Sequence, residues 1–388
     1  MMPVANVMTR VAVCSGLAML SAAPVRAGDW TLAAQALATG NYDDNVRLSS
    51  RNAVASWTGA GEATAQLQFR DDTSQWQFSP RVRSVRYDSE RTLDRTEYYA
   101  TLAGQIAGER GALSVTLSGT QDTTLTSEPG LTGLAEANKK HRTGSATVSN
   151  RYSMSERLDF STQVYASVNR YLDAEFTGLV DYDYGSALLG ASYELSERSV
   201  LSLRFAAGKL QAPELTRLDK TNYSVNLGYS LQLGPRWRLD LSAGPSRIDT
   251  AQRIDRGSVY DATLTHRTEM MTFRFSATRD VTPTGQGLLT QREQLRLGLE
   301  KTFTPRWSVG GWTAIIRNRY LQDAGAPGQN TVTYGDVTGN LTWLITPTWQ
   351  VSLSGGYTQQ RTGSSQPRAE RSHAGLSVSW KGLARRLN

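Results

Sequence analysis

Arginine is the residue whose type and spacing in this sequence most directly indicate chemistry. The 388 residues include 42 Lys and Arg against 35 Asp and Glu, giving a formal net charge of +7. Guanidinium groups bind carboxylates and phosphates in bidentate fashion, and fixed positive charge in a confined aqueous space concentrates anions. Eight arginines share the polar phase of alternating segments and are predicted to line a solute path: Arg81, Arg83, Arg204, Arg238, Arg274, Arg292, Arg296 and Arg371.

The densest group of arginines lies in the second half of the chain. Its members are Arg274, Arg279, Arg292 and Arg296, extended by Arg317 and Arg319. Such a group can guide anionic solutes through bidentate contacts. The alternative is an ordinary lattice of ion pairs, because Asp280, Glu293 and Glu300 lie close by in sequence.

A hydrolase is the second class of function to weigh. General acid–base chemistry needs a base, and the only histidines are His141, His266 and His373. No Gly-x-Ser-x-Gly motif accompanies them. Each is most simply a polar lumen or loop residue, so the chain is predicted not to be an enzyme.

The sequence gives little indication of a metal site or of nucleic-acid binding. A single cysteine and three histidines exclude most sites built from those ligands. Asp43, Asp44 and Asn45 could offer oxygen ligands to Ca²⁺, but they lack the every-second-residue spacing of a calcium loop, and a polar turn is favoured. Basic residues are spread along the chain with no patch or stacking motif. Neither cofactor, metal nor nucleic-acid partner is predicted.

The elements that must position the arginines are β-strands. From Trp30 onward, segments of about ten residues alternate between apolar and polar side chains, which is the period of a strand and not of a helix. Short polar turns alternate with longer loops such as 40–58, 126–140, 172–182 and 322–330. The eight short turns centre on 71–73, 109–111, 155–157, 196–198, 234–236, 268–270, 304–306 and 346–348.

Eight turns and nine loops predict eighteen strands, or sixteen if a terminal hairpin is misread. Short turns at one end and longer loops at the other are typical of transmembrane barrels, with short turns on the periplasmic side. The loop Thr126–Lys140 is a candidate constriction because of its length.

The placement of aromatic residues favours a membrane barrel over a soluble β-sandwich. Trp and Phe flank the short turns, as at Phe69 and Trp76 or Trp343 and Trp349. Amphipathic rings form girdles at membrane interfaces, whereas a sandwich concentrates large apolar residues in mid-strand. A second girdle is predicted at the loop ends, formed by Tyr87, Tyr98, Tyr171, Tyr223, Tyr260 and Tyr320.

The first 27 residues do not follow the alternating pattern of the predicted strands. Arg10 precedes an apolar run over Val11–Ala23, and Val25-Arg26-Ala27 provides small residues at the −3 and −1 positions of a cleavage site. We expect 1–27 to be a cleaved secretory signal peptide, and 28–388 to form a single outer-membrane β-barrel of the all-β class.

The opening of the predicted barrel resembles a known family. The first strand is followed by Asn41-Tyr42-Asp43-Asp44-Asn45-Val46, which is similar to the start of the type 2 family of outer-membrane β-barrel porins and of related barrels from exopolysaccharide loci. The hairpin pattern matches over essentially all of 28–388. The resemblance implies a barrel, with a possible link to polysaccharide export, and no catalytic residues. One departure is that Lys381–Asn388 follow Trp380 as a basic tail, where such barrels usually end on an aromatic residue.

The predicted function is passage of solutes across the outer membrane of a Gram-negative bacterium. The expected partners are outer-membrane lipid, a hydrophilic or anionic solute or polysaccharide, and components of an export system. The alternatives are a hydrolase with a barrel-borne site and a structural or adhesive barrel with an occluded lumen.

Overall fold

The chain folds almost entirely into β-strands. A computed structural model describes residues 28–131, 138–173, 177–213, 215, 219–250, 254–320, 331–363 and 367–387. The predicted signal peptide, 1–27, lies outside these residues. Within the described ranges, no helix is long and apolar enough to cross a membrane.

Eighteen long strands follow one another along the chain. They are β1 (Asp29–Asp43), β2 (Ser56–Arg70), β3 (Ser74–Tyr87), β4 (Arg95–Gly108), β5 (Gly111–Thr123), β6 (Lys140–Ser153), β7 (Leu158–Leu172), β8 (Tyr182–Ser196), β9 (Ser199–Gln211), β10 (Lys220–Gln232), β11 (Trp237–Asp249), β12 (Ile254–Arg267), β13 (Met271–Pro283), β14 (Leu289–Thr304), β15 (Trp307–Tyr320), β16 (Thr331–Leu344), β17 (Trp349–Thr362) and β18 (Ala369–Lys381). A three-residue β19 (Arg385–Leu387), a 3-10 turn (Arg91–Leu93) and a short helix, α1 (Thr124–Leu131), complete the elements.

The strands form a closed antiparallel barrel. Each of the eighteen pairs with its sequence neighbours, and β1 pairs with both β2 and β18. The closing register runs from Gln35 opposite Lys381 to Asp43 opposite His373. The prediction of eighteen strands is confirmed, and the sixteen-stranded alternative is wrong.

The two ends of the barrel differ as predicted. Connections of two to four residues join the strands at the short-turn end, and connections of four to sixteen join them at the long-loop end. The first loop is shorter than expected, because β1 continues to Asp43 and β2 begins at Ser56. Alternation continues through Asn41, Tyr42 and Asp43, so these residues belong to the strand rather than to the loop.

The outer face of the barrel is an apolar belt. Apolar residues are exposed along it, and Val164, Leu189, Leu227, Leu353 and Leu376 expose between 53% and 59% of their surface. Paired aromatic rings border the belt at the short-turn end, with Trp307 stacked on Trp343 at 5.5 Å between centroids.

The girdle at the long-loop end differs from the prediction. Tyr98, Tyr223 and Tyr260 lie on the outer face and are exposed. Tyr87 and Tyr171 instead lie on the inner face. The hydroxyl of Tyr87 accepts a hydrogen bond from Arg95 at 2.8 Å, and the Tyr171 ring stacks on His141. Tyr42, Trp57 and Tyr357 occupy the outer positions, and the side chain of Tyr320 lies outside the described residues.

The basic tail continues the sheet. After Gly382-Leu383-Ala384, β19 pairs with the start of β1, so that Leu387 lies opposite Trp30 and Arg385 opposite Leu32. The guanidinium of Arg386 in this strand lies 3.2 Å from the Asp29 carboxylate. Residues 385–387 thus form a short strand that pairs with β1 at the short-turn end.

Candidate functional site: the lumen

The inner face of the barrel is polar and carries the arginine set. Neighbouring side chains on a strand point to opposite faces, and the inner face is the one opposite the apolar belt. By register, all eight predicted arginines lie on it: Arg81 and Arg83 on β3, Arg204 on β9, Arg238 on β11, Arg274 on β13, Arg292 and Arg296 on β14, and Arg371 on β18.

Four of these arginines are neutralised by carboxylates. The pairs are Arg81 with Glu62 at 3.8 Å, Arg83 with Glu97 at 3.6 Å, Arg238 with Asp240 at 2.9 Å and Arg371 with Asp43 at 3.7 Å. Arg81 also lies over the Tyr99 ring, 3.9 Å from its centroid. For these four, the lattice of ion pairs is the better description of their local chemistry.

The other four arginines lie on the wall formed by β9 to β14. Arg204, Arg274 and Arg296 make no ion pair within the described part of the chain. Arg296 lies over the Trp312 ring at 5.5 Å. Arg292 lies opposite Asp280 in the register and donates to Gln294 at 3.3 Å. Three arginines without an ion pair among the described residues therefore lie on this wall, together with the inward carboxylates of Asp261, Asp280 and Glu300.

Glu97 is the carboxylate that organises the opposite wall. Its side chain is fully buried, and its oxygens accept hydrogen bonds from Arg95 at 2.7 Å, from Tyr99 at 3.1 Å and from Thr126. Thr126 belongs to α1, so this carboxylate fixes the longest loop against the inner face of β4. Sequence reasoning missed Glu97, because its role depends on which strands it faces.

A first loop cluster covers part of the opening at the long-loop end. Leu48, in the loop after β1, is buried against Ala369 of β18, with Leu125 of α1 and Tyr334 of β16 packed beside it. The guanidinium of Arg47 binds Glu90 at 2.8 Å, which ties this loop to the next one. The predicted constriction, Thr126–Lys140, therefore lies partly within the mouth, and its residues 132–137 lie outside the described residues.

A second loop cluster covers the other part of the opening. The β12–β13 pairing ends at Tyr260 and Arg279, while β13 and β14 remain paired as far as Pro283 and Leu289. The tip of this hairpin leaves the wall and packs inward. Its Leu289 is fully buried in a cluster with Tyr171, Tyr182, Leu210 and Ile248.

A loop six strands away completes this cluster. The amide of Val180, between β7 and β8, donates to the carbonyl oxygen of Gly285 at 2.8 Å. The two loops are separated by the whole of β8 to β13, so their contact bridges the inside of the wall. Together the two clusters narrow the mouth from both sides.

A recess of about 410 Å³ lies beneath the hairpin tip, against the inner wall. Arg204, Asn222, Tyr184, Asp261 and Asp280 are among the side chains that line it. Polar groups of both charges in a recess of this size are suited to bind a small hydrophilic molecule.

The histidines occupy three different environments. His266 lies on the outer face against Trp237, 4.3 Å between centroids, rather than in the lumen or a loop. His373 lies on the inner face opposite Asp43. His141 is buried, with its Nδ1 at 3.1 Å from Asp122 and its Nε2 at 3.0 Å from the hydroxyl of Thr143.

The His141 arrangement has the order of a carboxylate, an imidazole and a hydroxyl. The Thr143 hydroxyl, however, also donates to Asn169 at 3.0 Å, so its proton is engaged away from the imidazole. The Tyr171 ring covers the imidazole at 4.6 Å between centroids. These contacts suit a structural polar network more than an exposed nucleophile.

Three arginines of the densest group lie on the opposite face from the one proposed. Arg279, Arg317 and Arg319 share the outer phase of their strands with the exposed Leu295 and Ile315. Arg317 and Arg319, expected to extend the group, do not share the inner phase of Arg292 and Arg296, because Arg317 lies opposite Glu293. Arg279 is five residues from the inward Arg274 on β13 and also borders the recess beneath the hairpin tip.

Asp43 ends β1, and Asp44 and Asn45 begin the loop that follows it. Asp43 accepts from the Asn45 amide at 2.9 Å, Asp44 accepts from the Ser372 amide at 2.7 Å, and the Asn45 side chain donates to the carbonyl oxygens of Ser49 and Glu370. Among the residues that the structure describes, no group of three metal-ligating side chains occurs.

The barrel resembles solved outer-membrane porins of Pseudomonas aeruginosa. OccK7 (OpdD) has a TM-score of 0.51 at 11% identity, covering 93% of this chain and 99% of that chain. OpdO has a TM-score of 0.51 at 11% identity, covering 92% and 97%. OccK5 (OpdH) has a TM-score of 0.50 at 11% identity, covering 93% and 99%. At this identity the likeness establishes the fold.

Comparisons of sequence found no relatives. No protein-family model matches the chain, and no curated protein matches it. The resemblance to outer-membrane porins is therefore supported at the level of the barrel, whereas its narrower part, the link to exopolysaccharide loci, finds no support.

Proposed function

We propose that this protein is a passive channel for small hydrophilic solutes, with a preference for anions, in the outer membrane of a Gram-negative bacterium. The observation that carries the proposal is a closed barrel with an apolar outer belt and a polar inner face. A bilayer requires every backbone polar group in a spanning segment to be paired, and closure meets this requirement. A barrel of this strand number encloses an aqueous lumen. Residues 1–27 supply the export signal and are removed.

The proposed anion preference rests on three inward arginines of the wall formed by β9 to β14. Arg204, Arg274 and Arg296 form no ion pair within 4.0 Å among the described residues. A unit charge about 7 Å away contributes about 0.6 kcal/mol in water, which is close to the thermal energy. Each such arginine raises the local anion concentration roughly two- to threefold before salt screening.

The narrowed mouth favours small solutes over polymers. The bridge from Val180 to Gly285 and the packing of Leu48 against Ala369 place loop residues over the opening from two sides. Loop residues over the opening hinder a polysaccharide chain more than a small solute, and the recess beside Arg204 has the size of a site for a small solute. Polysaccharide passage with export partners is the less favoured form of the proposal.

The alternative of a barrel-borne hydrolase rests on His141 with Asp122, Thr143 and Ser127, whose hydroxyl lies 3.3 Å from Nδ1 of the imidazole. The engagement of the threonine hydroxyl by Asn169 and the stacking of Tyr171 disfavour it. An occluded structural barrel is the third possibility, and it predicts no solute flux.

The test is the reversal potential of the refolded chain 28–388 in a planar bilayer under a salt gradient. We expect anion selectivity, reduced at least threefold in the anion-to-cation permeability ratio by R204Q/R274Q/R296Q. The matched control is R86Q/R170Q/R247Q, which removes the same charge from the outer face, where each arginine is paired with an aspartate. An equal effect of both triple variants, or cation preference of the wild-type channel, contradicts the selectivity argument.

A further inference from the structure

A row of basic side chains crosses the outer face at the long-loop end. Residues directly opposite on neighbouring strands have Cβ atoms about 4.5–5.5 Å apart and form a continuous rung. One such rung runs from β12 to β17 and consists of Tyr260, Arg279, Glu293, Arg317, Thr333 and Arg361. Arg319 stands one position above Arg317 on the same face of β15.

The charges of this rung are uneven. Arg317 and Arg319 are exposed and have no hydrogen bond or ion pair within the described part of the chain. Arg279 is held in place, since it donates to Gln291 at 2.7 Å and to Ser258 at 3.2 Å and lies 3.5 Å from Glu293. Glu293 is the single carboxylate among the side chains of the rung.

A recess of about 80 Å³ lies between these groups, lined by Arg279, Gln291, Glu293, Arg317 and Arg319. At roughly 30 Å³ of liquid volume for each water molecule, it has room for about two or three waters, or one phosphate group. Three guanidinium groups thus converge on a space whose only carboxylate already neighbours Arg279.

The position of the rung relative to the apolar belt indicates its partner. Leu295 and Ile315, two residues towards mid-barrel, are exposed on the outer face, and Val337 follows them on the next strand. Tyr260 of the girdle is itself part of the rung. The arginines therefore lie at the edge of the belt, at the level where lipid headgroups meet acyl chains.

We propose that Arg279, Arg317 and Arg319 bind a phosphate of the glycolipid that forms the outer leaflet. Arginine matches the geometry of phosphate oxygens and needs little dehydration to do so, which suits a site at a lipid interface. The adjacent apolar residues contact the acyl chains of the same lipid. The inference rests on the outer-membrane location in the proposed function, although the site is separate from the lumen.

The experiment measures binding of lipid A to the refolded chain in detergent micelles by native mass spectrometry. We expect R317Q/R319Q to weaken binding at least tenfold, and R86Q/R247Q, which removes two paired outer arginines, to weaken it less than twofold. Inorganic phosphate and dephosphorylated lipid A are the comparison ligands. Folding of every variant is checked by the heat-dependent gel migration of the intact barrel.

Each outcome of this experiment supports or overturns the proposed lipid site. Binding of phosphorylated lipid A that is lost in R317Q/R319Q supports the site. Equal binding by wild type and R317Q/R319Q, equal binding of dephosphorylated lipid A, or a preference for inorganic phosphate overturns it. Because R317Q/R319Q leaves the lumen unchanged, its reversal potential should equal that of wild type, so a failed lipid site is distinguishable from a failed channel.

Discussion

The inward packing of the β13–β14 hairpin can be tested by removing one side chain. Leu289 is fully buried in contact with Leu210 and Ile248 at the tip of the hairpin. The change Leu289→Ala removes three buried carbons, which is about 2.4 kcal/mol of transfer free energy at about 0.8 kcal/mol each. The cavity left behind raises the loss to about 3–5 kcal/mol.

A loss of this size should release the hairpin while leaving the barrel closed. The strand pairing that closes the barrel does not involve the hairpin tip. A loss of about 3 kcal/mol shifts the docking equilibrium on the order of 100-fold. We expect hydrogen exchange at the Val180 amide, which donates to Gly285, to accelerate by a similar factor where exchange proceeds through undocking.

The assay is amide exchange of the refolded chain followed by mass spectrometry, with single-channel recording alongside. Leu295→Ala is the matched control, because it deletes the same atoms on the outer face of the same strand, where Leu295 is exposed. We expect larger or noisier conductance from Leu289→Ala only. If exchange at Val180 and the conductance were both unchanged in a folded Leu289→Ala barrel, the reasoning about the mouth would be refuted.

Three further outcomes are expected. Glu97→Gln leaves the largely buried Arg95 without its carboxylate and should destabilise the protein by about 3–5 kcal/mol, measured by urea unfolding in detergent. Gln66→Glu, at an inner position without this network, should not destabilise it. The hydrogen bond from Arg47 holds the pKa of Glu90 below its usual range. This contact is therefore complete above the ordinary carboxyl pKa and is lost as the pH falls through the lowered pKa. Proteolysis of the loop 44–55 should rise in acid with wild type and be pH-independent in Glu90→Gln. His141→Gln should leave solute flux unchanged, and ester hydrolysis by wild type above that of His141→Gln would instead favour the hydrolase.

The strand number and the two kinds of connection were predictable because period 2 and turn residues are local signals. The outer positions of Leu353 and Tyr357 follow from alternation alone, as does the inner position of Arg204. The loop boundaries were less predictable, since Tyr42 and Asp43 remain in register after the first polar residues begin.

The charge network was only partly predictable, because it depends on the pairing register. Which acid faces Arg83 or Arg371 is set by Glu97 on the next strand and by Asp43 at the barrel closure. The folding of the hairpin tip into the lumen depends on a cluster that joins Leu289 to residues such as Ile248, which lie on strands that are not its neighbours. No periodicity within a segment encodes such contacts.

Solute flux through the barrel is the most direct test of the channel proposal. The measurement is the swelling rate of liposomes that contain the refolded chain, with gluconate, glucose and glucosamine as solutes of similar size. We predict swelling with all three and the fastest rate with gluconate. A folded, inserted barrel that admits none of them would contradict the proposed function.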